Sequence, residues 1–185
     1  MTQQGEHERR FQGTAERLRS PERLARLEVS RVIGLCLEGI QAHSVLDVGT
    51  GAGVFAEAFA AQGLSVAGID TNAELLEAAR AYVPAGVFRE GEAEALPYVD
   101  GAFDLAFLGL VLHETDRPLD ALREARRVAR LRVAVLEWPY REGTLGPPLA
   151  HRLSPERIAE LAQQAGFAQV EQVGLEHVVL YRLTP

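Results

Sequence analysis

Apolar positions along the chain alternate between two textures. Short runs at Ser44 to Val48, Ser65 to Ile69, Gly86 to Arg89, Phe103 to Leu108 and Arg132 to Glu137 are too brief for buried helices and are flanked by turn residues, so they predict buried strands. Between them, apolar residues recur three and four apart. Val54 to Gln62 predicts a helix stopped by Gly63, and Thr71-Asn72-Ala73-Glu74 reads as a capping box for a helix that buries Leu75, Leu76, Ala79 and Val83. Pro118 to Arg130 predicts a helix with Leu122, Ala125 and Ala129 inward, and Ser154-Pro155-Glu156 opens another that Gly166 closes. The same start signal, Ser20-Pro21-Glu22, precedes a rough apolar stripe of Leu24, Leu27, Val32, Leu35 and Cys36. Ala168 to Val173 and Val178 to Leu183 are too close together for a crossover helix, so they pair antiparallel.

Strands alternating with helices imply right-handed crossovers and a sheet covered on both faces. The expected fold is α/β, a Rossmann-like doubly wound sheet. It is mostly parallel and seven-stranded, with an antiparallel C-terminal strand. A chain of 185 residues with 47% hydrophobic positions fits one domain with a sizeable core. Within it, residues 1–43 form an N-terminal helical segment on the substrate side and residues 44–185 the core. Ligands of such sheets bind at the carboxyl ends of the strands, where strand order reverses.

Composition narrows the chemistry. All 19 basic residues are arginine, so lysine-imine and phosphate-loop lysine chemistry are excluded. The one cysteine, Cys36, excludes an internal disulfide and a multi-cysteine zinc site. A net charge of −7 opposes binding to nucleic acid. No apolar run is long enough for a membrane span, and Met1 to Arg10 is polar rather than leader-like, so a cytoplasmic protein is expected.

The first strand leads into Asp47-Val48-Gly49-Thr50-Gly51-Ala52-Gly53. Glycines at every second position let backbone approach a ligand closely, and the following helix turns its first amides towards it. A dinucleotide fingerprint starting at Gly49 fails at Val54; one starting at Gly51 fits only as Gly51-Ala52-Gly53-Val54-Phe55-Ala56 and begins late after the strand. Asp70, closing the second strand, suits a ribose under either reading. Asp47 discriminates, because an acid there is awkward beside a pyrophosphate and favourable beside an ammonium or sulfonium group.

Val45 to Gly53 resembles the first motif of class I S-adenosylmethionine-dependent methyltransferases. Gly68-Ile69-Asp70 resembles their second motif, Gly91 to Pro97 the third, with Glu92 where Asp is usual, and Phe103 to Phe107 the fourth-strand motif. Phe11 to Leu37 is similar to an N-terminal segment of small-molecule members. The resemblance implies that Gly49, Thr50, Gly51 and Gly53 border the methionine part of S-adenosylmethionine, with Asp47 facing its ammonium directly or through water. It implies that Asp70 accepts the ribose hydroxyls, that Thr71, Asn72 and Leu75 lie beside the adenine, and that Glu92 and the Ala93 amide hold the adenine edge. Leu108 and Gly109 close the methionine end.

Methyl transfer from a sulfonium needs alignment and water exclusion, and no metal is expected; a base matters only where the nucleophile loses a proton. His113, Glu137, Tyr140 and His151 are candidate bases, with His113, Tyr140 and His151 the catalytic expectation. Trp138 and Tyr140 are candidate pocket walls, Gly143 to Pro148 a candidate lid, and His151 with Arg152 candidate substrate contacts. His113-Glu114-x-Asp116 is read as a solvated loop with Asp116 capping the next helix, and Arg123, Arg126, Arg127 and Arg130 as the wet face of an amphipathic helix. Trp138-Pro139-Tyr140 follows the fifth strand, so it is not the amino-methyltransferase signature that follows the fourth. Cys36 precedes the first strand and does not match a cytosine-C5 nucleophile. The expectation is a monomeric or homodimeric methyltransferase with a small-molecule acceptor. The alternatives are an NAD(P)-binding oxidoreductase and a non-catalytic module that holds S-adenosylmethionine.

Overall fold

The computed structural model describes residues 13–185. Met1 to Gln12, which carry the polar start and Phe11 of the N-terminal resemblance, lie outside the described residues. Among the described residues, seven strands form one sheet: β1 (Ser44–Val48), β2 (Ser65–Asp70), β3 (Val87–Glu90), β4 (Phe103–Gly109), β5 (Ala129–Glu137), β6 (Gln169–Gly174) and β7 (Val179–Thr184). Their order is β3-β2-β1-β4-β5-β7-β6, and β7 alone runs against its neighbours. The doubly wound, mostly parallel sheet expected from the pattern is therefore present. Strand order reverses between β1 and β4, so a crevice opens where those two strands end.

Alternate residues along the central strands feed two cores. Val45, Leu105, Phe107 and Leu136 face α3 (Val29–Leu37), α4 (Val54–Ala61) and α5 (Ala73–Tyr82). Leu46, Ala106, Leu108 and Val135 face α6 (Pro118–Val128) and α7 (Pro155–Gln164). Phe107 anchors the first core, its ring centroid 4.7 Å from that of Phe55 and 5.4 Å from that of Phe59. No helix among the described residues is long and apolar enough to cross a membrane.

Local signals were displaced in several places, each for a visible reason. The N-terminal stripe is broken at Glu28, which takes φ +46°, so α1 (Ala15–Leu18), α2 (Pro21–Arg26) and α3 are separate helices and Ile33 is buried rather than Leu35. Asn72, not Thr71, caps α5, because its Oδ1 accepts from the backbone N–H of Glu74 at 3.0 Å and of Leu75 at 3.2 Å. Asp116 does not cap α6: Glu94 reaches across from the loop after β3 and accepts from the backbone N–H of Asp116 and Arg117. Nor are all the α6 arginines merely wet. Arg127 donates to Glu124, Asp100 and the carbonyls of Leu96 and Tyr98, which fastens the β3–β4 loop to the helix.

At the amino edge of the sheet, Asp104 locks β1 to β4. Its Oδ2 accepts from the backbone N–H of His43 at 2.8 Å and of Ser44 at 3.1 Å, and its Oδ1 from Arg130 at 2.7 Å. Burial alone would raise this carboxyl, but the His43 amide, the Arg130 guanidinium and the Ser44 hydroxyl bring it down to about 2. A depressed carboxyl stabilises the fold above its unfolded value and ceases to as pH falls through the folded one. Asp104→Asn should lower unfolding free energy near neutral pH by ~1–3 kcal/mol, the cost of unpaired buried donors. Urea unfolding from pH 7 to pH 2 should show that gap persisting to about pH 4 and shrinking towards pH 2.

Candidate functional site

A cavity of about 600 Å³ lies over the carboxyl ends of β1, β2 and β4. That volume is of the order that takes a drug-sized ligand, ~300–1,000 Å³. Its floor is the turn after β1. Gly49 stands at φ +68°, and a Cβ built there would sit 2.6 Å from Cγ2 of Val111, so the turn admits no side chain. Gly51 and Thr50 continue the floor. Gly53 lies behind the surface as the residue before α4, at φ +75° against Ala79, and does not line the cavity.

Asp47 is 1% exposed and also sits behind the floor. Its Oδ2 accepts from the Thr50 hydroxyl at 2.7 Å, and burial pushes its carboxyl up to about 7, against the Thr50 and Ala56 hydrogen bonds. Asp47 therefore does not line the cavity; the carboxyl shapes the turn from beneath. Asp70 does reach the cavity. Its two oxygens accept from the backbone N–H of Gly51 at 2.8 Å and of Asn72 at 2.9 Å, which ties the β1 turn to the end of β2.

Thr71, Asn72 and Leu75 form the next wall, and Gly91, Glu92 and Ala93 the one beyond, with Glu92 exposed at the rim. Gly109, Leu110 and Val111 close the opposite end. Leu108 does not reach it, because the strand alternation turns its side chain into the core beneath α6 and α7. Leu110 holds the left-handed conformation, φ +61°, while its N–H bonds the Leu136 carbonyl at 2.8 Å. A bulky residue held there is a strained backbone of the sort that clusters at functional sites.

Past this bend, a short 3-10 turn over Leu112–Glu114 presents His113 to the cavity. His113 is 5% exposed, and its Nδ1 is 2.7 Å from Oε2 of Glu137, the last residue of β5. Glu137 Oε1 also accepts the His113 backbone N–H at 3.0 Å, so one carboxylate fixes both ring and backbone. Burial lowers the imidazole's proton affinity, but the Glu137 hydrogen bond and charge, with Glu114, outweigh it and the pKa is raised. The other ring nitrogen, Nε2, lies 3.8 Å from Glu114, which also lines the cavity.

Tyr140 and His151, expected beside His113, lie outside the cavity lining as exposed residues of the segment after β5. Pro139 follows Trp138 and turns the chain away, so Trp138 faces the cavity and Tyr140 does not. Thr144, Leu145, Gly146 and Pro147 of the expected lid do line it. Gly146, at φ +80°, lies flat on the indole, where a Cβ would come within 2.5 Å of Trp138. Arg152 is buried and holds this loop in shape, donating to the carbonyls of Pro139, Arg141 and Pro147 at 2.8–2.9 Å and to that of Leu145. Its guanidinium is thus occupied by backbone.

The remaining wall comes from α1 and α2 through Arg17, Leu18, Ser20, Arg23, Arg26 and Leu27. Arg19 sets it in place by donating to the Ala52 carbonyl at 2.9 Å and pairing with Glu57. Sequence reading singled out none of the three lining arginines. Arg23 and Arg26, three apart after the Ser20 cap, were the available signal. Among the described residues, no group of three or more His, Cys, Asp or Glu side chains is placed to hold a metal ion.

A family described as "Methyltransferase domain" matches residues 46–133. Malonyl-[acyl-carrier protein] O-methyltransferase of Erwinia pyrifoliae is 34% identical over 128 residues, 69% of this chain and 49% of the relative. Demethylmenaquinone methyltransferase of Renibacterium salmoninarum is 29% identical over 117 residues, 63% of this chain and 49% of that one. The chain thus spans about half the length of these curated relatives. A SAM-dependent methyltransferase from Aquifex aeolicus, solved by crystallography, superposes with a TM-score of 0.78 at 26% identity, covering 91% of this chain and 95% of that one.

Gly49→Ala should lower unfolding free energy by ~1–2 kcal/mol from its left-handed backbone, with the overlap on Val111 adding to that. Val111→Ala in the same chain should recover only the overlap part, as read by denaturant unfolding of both variants.

Proposed function

We propose that this chain, which is similar to S-adenosylmethionine-dependent methyltransferases through most of its sheet, is a class I member of that family and transfers a methyl group from S-adenosylmethionine to a small-molecule acceptor. One observation carries the reading: a single cavity joins a glycine cradle and the Asp70 carboxylate at one end to the buried His113–Glu137 pair at the other. The residues fit the cofactor. Asp70, a carboxylate at the end of β2 that lines the cavity, would accept the ribose hydroxyls, and Thr71, Asn72 and Leu75 would flank the adenine. Ala93 would offer its backbone N–H to the adenine edge, with Glu92 at the rim. Gly49, Thr50, Gly51 and Gly109 would border the methionine portion.

When bound, S-adenosylmethionine supplies an electrophilic methyl on a positive sulfur that departs as a neutral thioether. The protein's part is alignment and exclusion of water, which can supply ~7–11 kcal/mol of a barrier. Val111, Leu110, Trp138 and the loop 144–147 would exclude water. The N-terminal helical segment, through α1 and α2, would supply the acceptor side. His113 would act as the base: Nδ1–H donates to Glu137, which fixes the tautomer and leaves Nε2 to take a proton from an acceptor hydroxyl or amine. The two curated relatives name malonyl-[acyl-carrier protein] and demethylmenaquinone, which supports the class of reaction and leaves the acceptor of this chain open. The lone cysteine is buried, and that burial pushes its thiol up to about 12; the proposed location is the cytoplasm.

Calorimetric titration should show S-adenosylhomocysteine binding and NADH not; the reverse would favour an oxidoreductase. In the same titration Asp70→Ala should weaken S-adenosylhomocysteine by ~1–3 kcal/mol, the cost of hydroxyls deprived of their acceptor. Unchanged affinity would remove Asp70 from the site. A second prediction concerns His113. Its raised pKa means the pair stabilises the fold below the ordinary histidine value and ceases to as pH rises through the folded one, while the neutral base accumulates over that same rise. NMR titration of the ring should give a midpoint above about 6.5, and Glu137→Gln should bring it down; a wild-type midpoint below 6.5 would mean that burial outweighs the Glu137 carboxylate.

A further inference from the structure

The segment beside the glycine turn has few contacts of its own. No residue of α1 or α2 is buried, whereas α3 sinks Val32, Ile33 and Cys36 into the core. The boundary is Glu28, which stands in the left-handed region at φ +46° and whose carboxylate accepts the Glu176 backbone N–H at 2.8 Å. Residues 14–26 therefore lie on the surface as a strap, with Leu27, 2% exposed, as the first residue sunk into the core. A segment that buries so little opens locally without unfolding the rest.

This strap nevertheless crosses the cradle. Leu18 Cδ1 lies 3.0 Å from where a Cβ on Gly51 would stand, and Leu18, Gly51 and Ala52 all line the cavity. One side chain fastens the strap there. Arg19 donates to the Ala52 carbonyl at 2.9 Å and pairs with Glu57 of α4. Its guanidinium carbon is 3.4 Å from the ring centroid of Tyr82, the last residue of α5. Arg19 thus grips the turn after β1 and the helices that follow β1 and β2. A planar guanidinium holds a carbonyl, a carboxylate and an aromatic face at once, which a point-like ammonium does less well.

Resting on the methyltransferase reading above, we propose that Arg19 is a positioning residue for S-adenosylmethionine. It latches the strap of α1 and α2, hinged at Glu28, over the glycine turn, so that Leu18 closes the methionine end of the bound cofactor. By reciprocity, the cofactor then holds the strap shut as strongly as the strap holds the cofactor. Arg19, Glu57 and Tyr82 all lie outside the cavity lining, so their influence on cofactor affinity travels through the strap.

The chain has no lysine, so trypsin cuts it at arginine alone, and Arg17, Arg23 and Arg26 place cutting sites within the strap. Trypsin digestion of the full chain, with fragments identified by mass spectrometry, reads strap opening. Trp138, the one tryptophan, lines the cavity and reports S-adenosylhomocysteine binding and release by stopped-flow fluorescence. In the wild type, S-adenosylhomocysteine should slow cutting at those three arginines. Arg19→Gln should be cut there faster without ligand and should bind S-adenosylhomocysteine about ten-fold more weakly, through faster release, since site-to-site couplings span ~5–150-fold. Glu57→Gln and Tyr82→Ala, both exposed, should move the two readouts the same way by smaller factors, and Arg19→Lys should restore part of the loss. Should Arg19→Gln fail to fold, the Glu57 and Tyr82 variants still decide. The proposal is overturned if Arg19→Gln binds S-adenosylhomocysteine as the wild type does, or binds it more weakly with strap cutting unchanged. Strap cutting in the wild type that the ligand does not slow would overturn it too. Failure of the wild type to bind S-adenosylhomocysteine at all would strike instead at the methyltransferase reading, and ligand-free cutting of Arg19→Gln would still decide the latch.

Discussion

The close approach of the β1 turn to the β4 turn is the constraint on which the site depends. At Gly49 the backbone leaves so little room beneath Val111 that one added carbon would overlap it. Because β1 and β4 are neighbours whose crossovers diverge, their ends cannot be closed by a helix, and the gap becomes the cavity. The turn is held from below by the Asp47–Thr50 hydrogen bond and from the side by Asp70 on the Gly51 amide. One buried carboxyl and one half-buried carboxylate thus fix the same few residues of backbone.

Charge of both signs lines the cavity: Asp70, Glu92, Glu94 and Glu114 with Arg17, Arg23 and Arg26. Among them is His113, whose proton affinity is a contest between burial and the Glu137 carboxylate, won by the latter. The carboxylate favours the protonated ring although His113 is almost wholly shielded from solvent. The neighbouring left-handed Leu110 places the turn that carries it, and the Leu136 carbonyl that receives the Leu110 amide sits one residue before Glu137. Strand β5 therefore supports both the backbone and the ring of the same segment.

Arginine does structural work throughout a chain without lysine. Arg127 fastens the β3–β4 loop to α6, Arg152 gathers the carbonyls of the loop after β5, and Arg132 holds the carbonyls of Cys36 and Glu38 beside α3. A planar fork with five N–H groups can satisfy several carbonyls of an irregular loop at once, which a point-like ammonium does less well. This accounts for helix-face arginines that looked merely solvated in the sequence. Their spacing gave the face correctly and said nothing of the loops lying against it.

Strand and helix order, the reversal point, the glycine turn and Asp70 were all legible in the chain itself, because each is a local matter of period, capping chemistry and backbone freedom. Tertiary structure decided the rest. It turned Asp47 and Leu108 away from the cavity, chose Asn72 over Thr71 as cap, and separated Tyr140 and His151 from His113. It also joined His113 to Glu137, 24 residues on, and placed three arginines of the first helices in the lining of the same cavity. A sequence records which groups are near along the chain. Which face of a strand a side chain leaves by, and which distant carboxylate meets it there, depends on register and crossover, and those exist only once the sheet has formed.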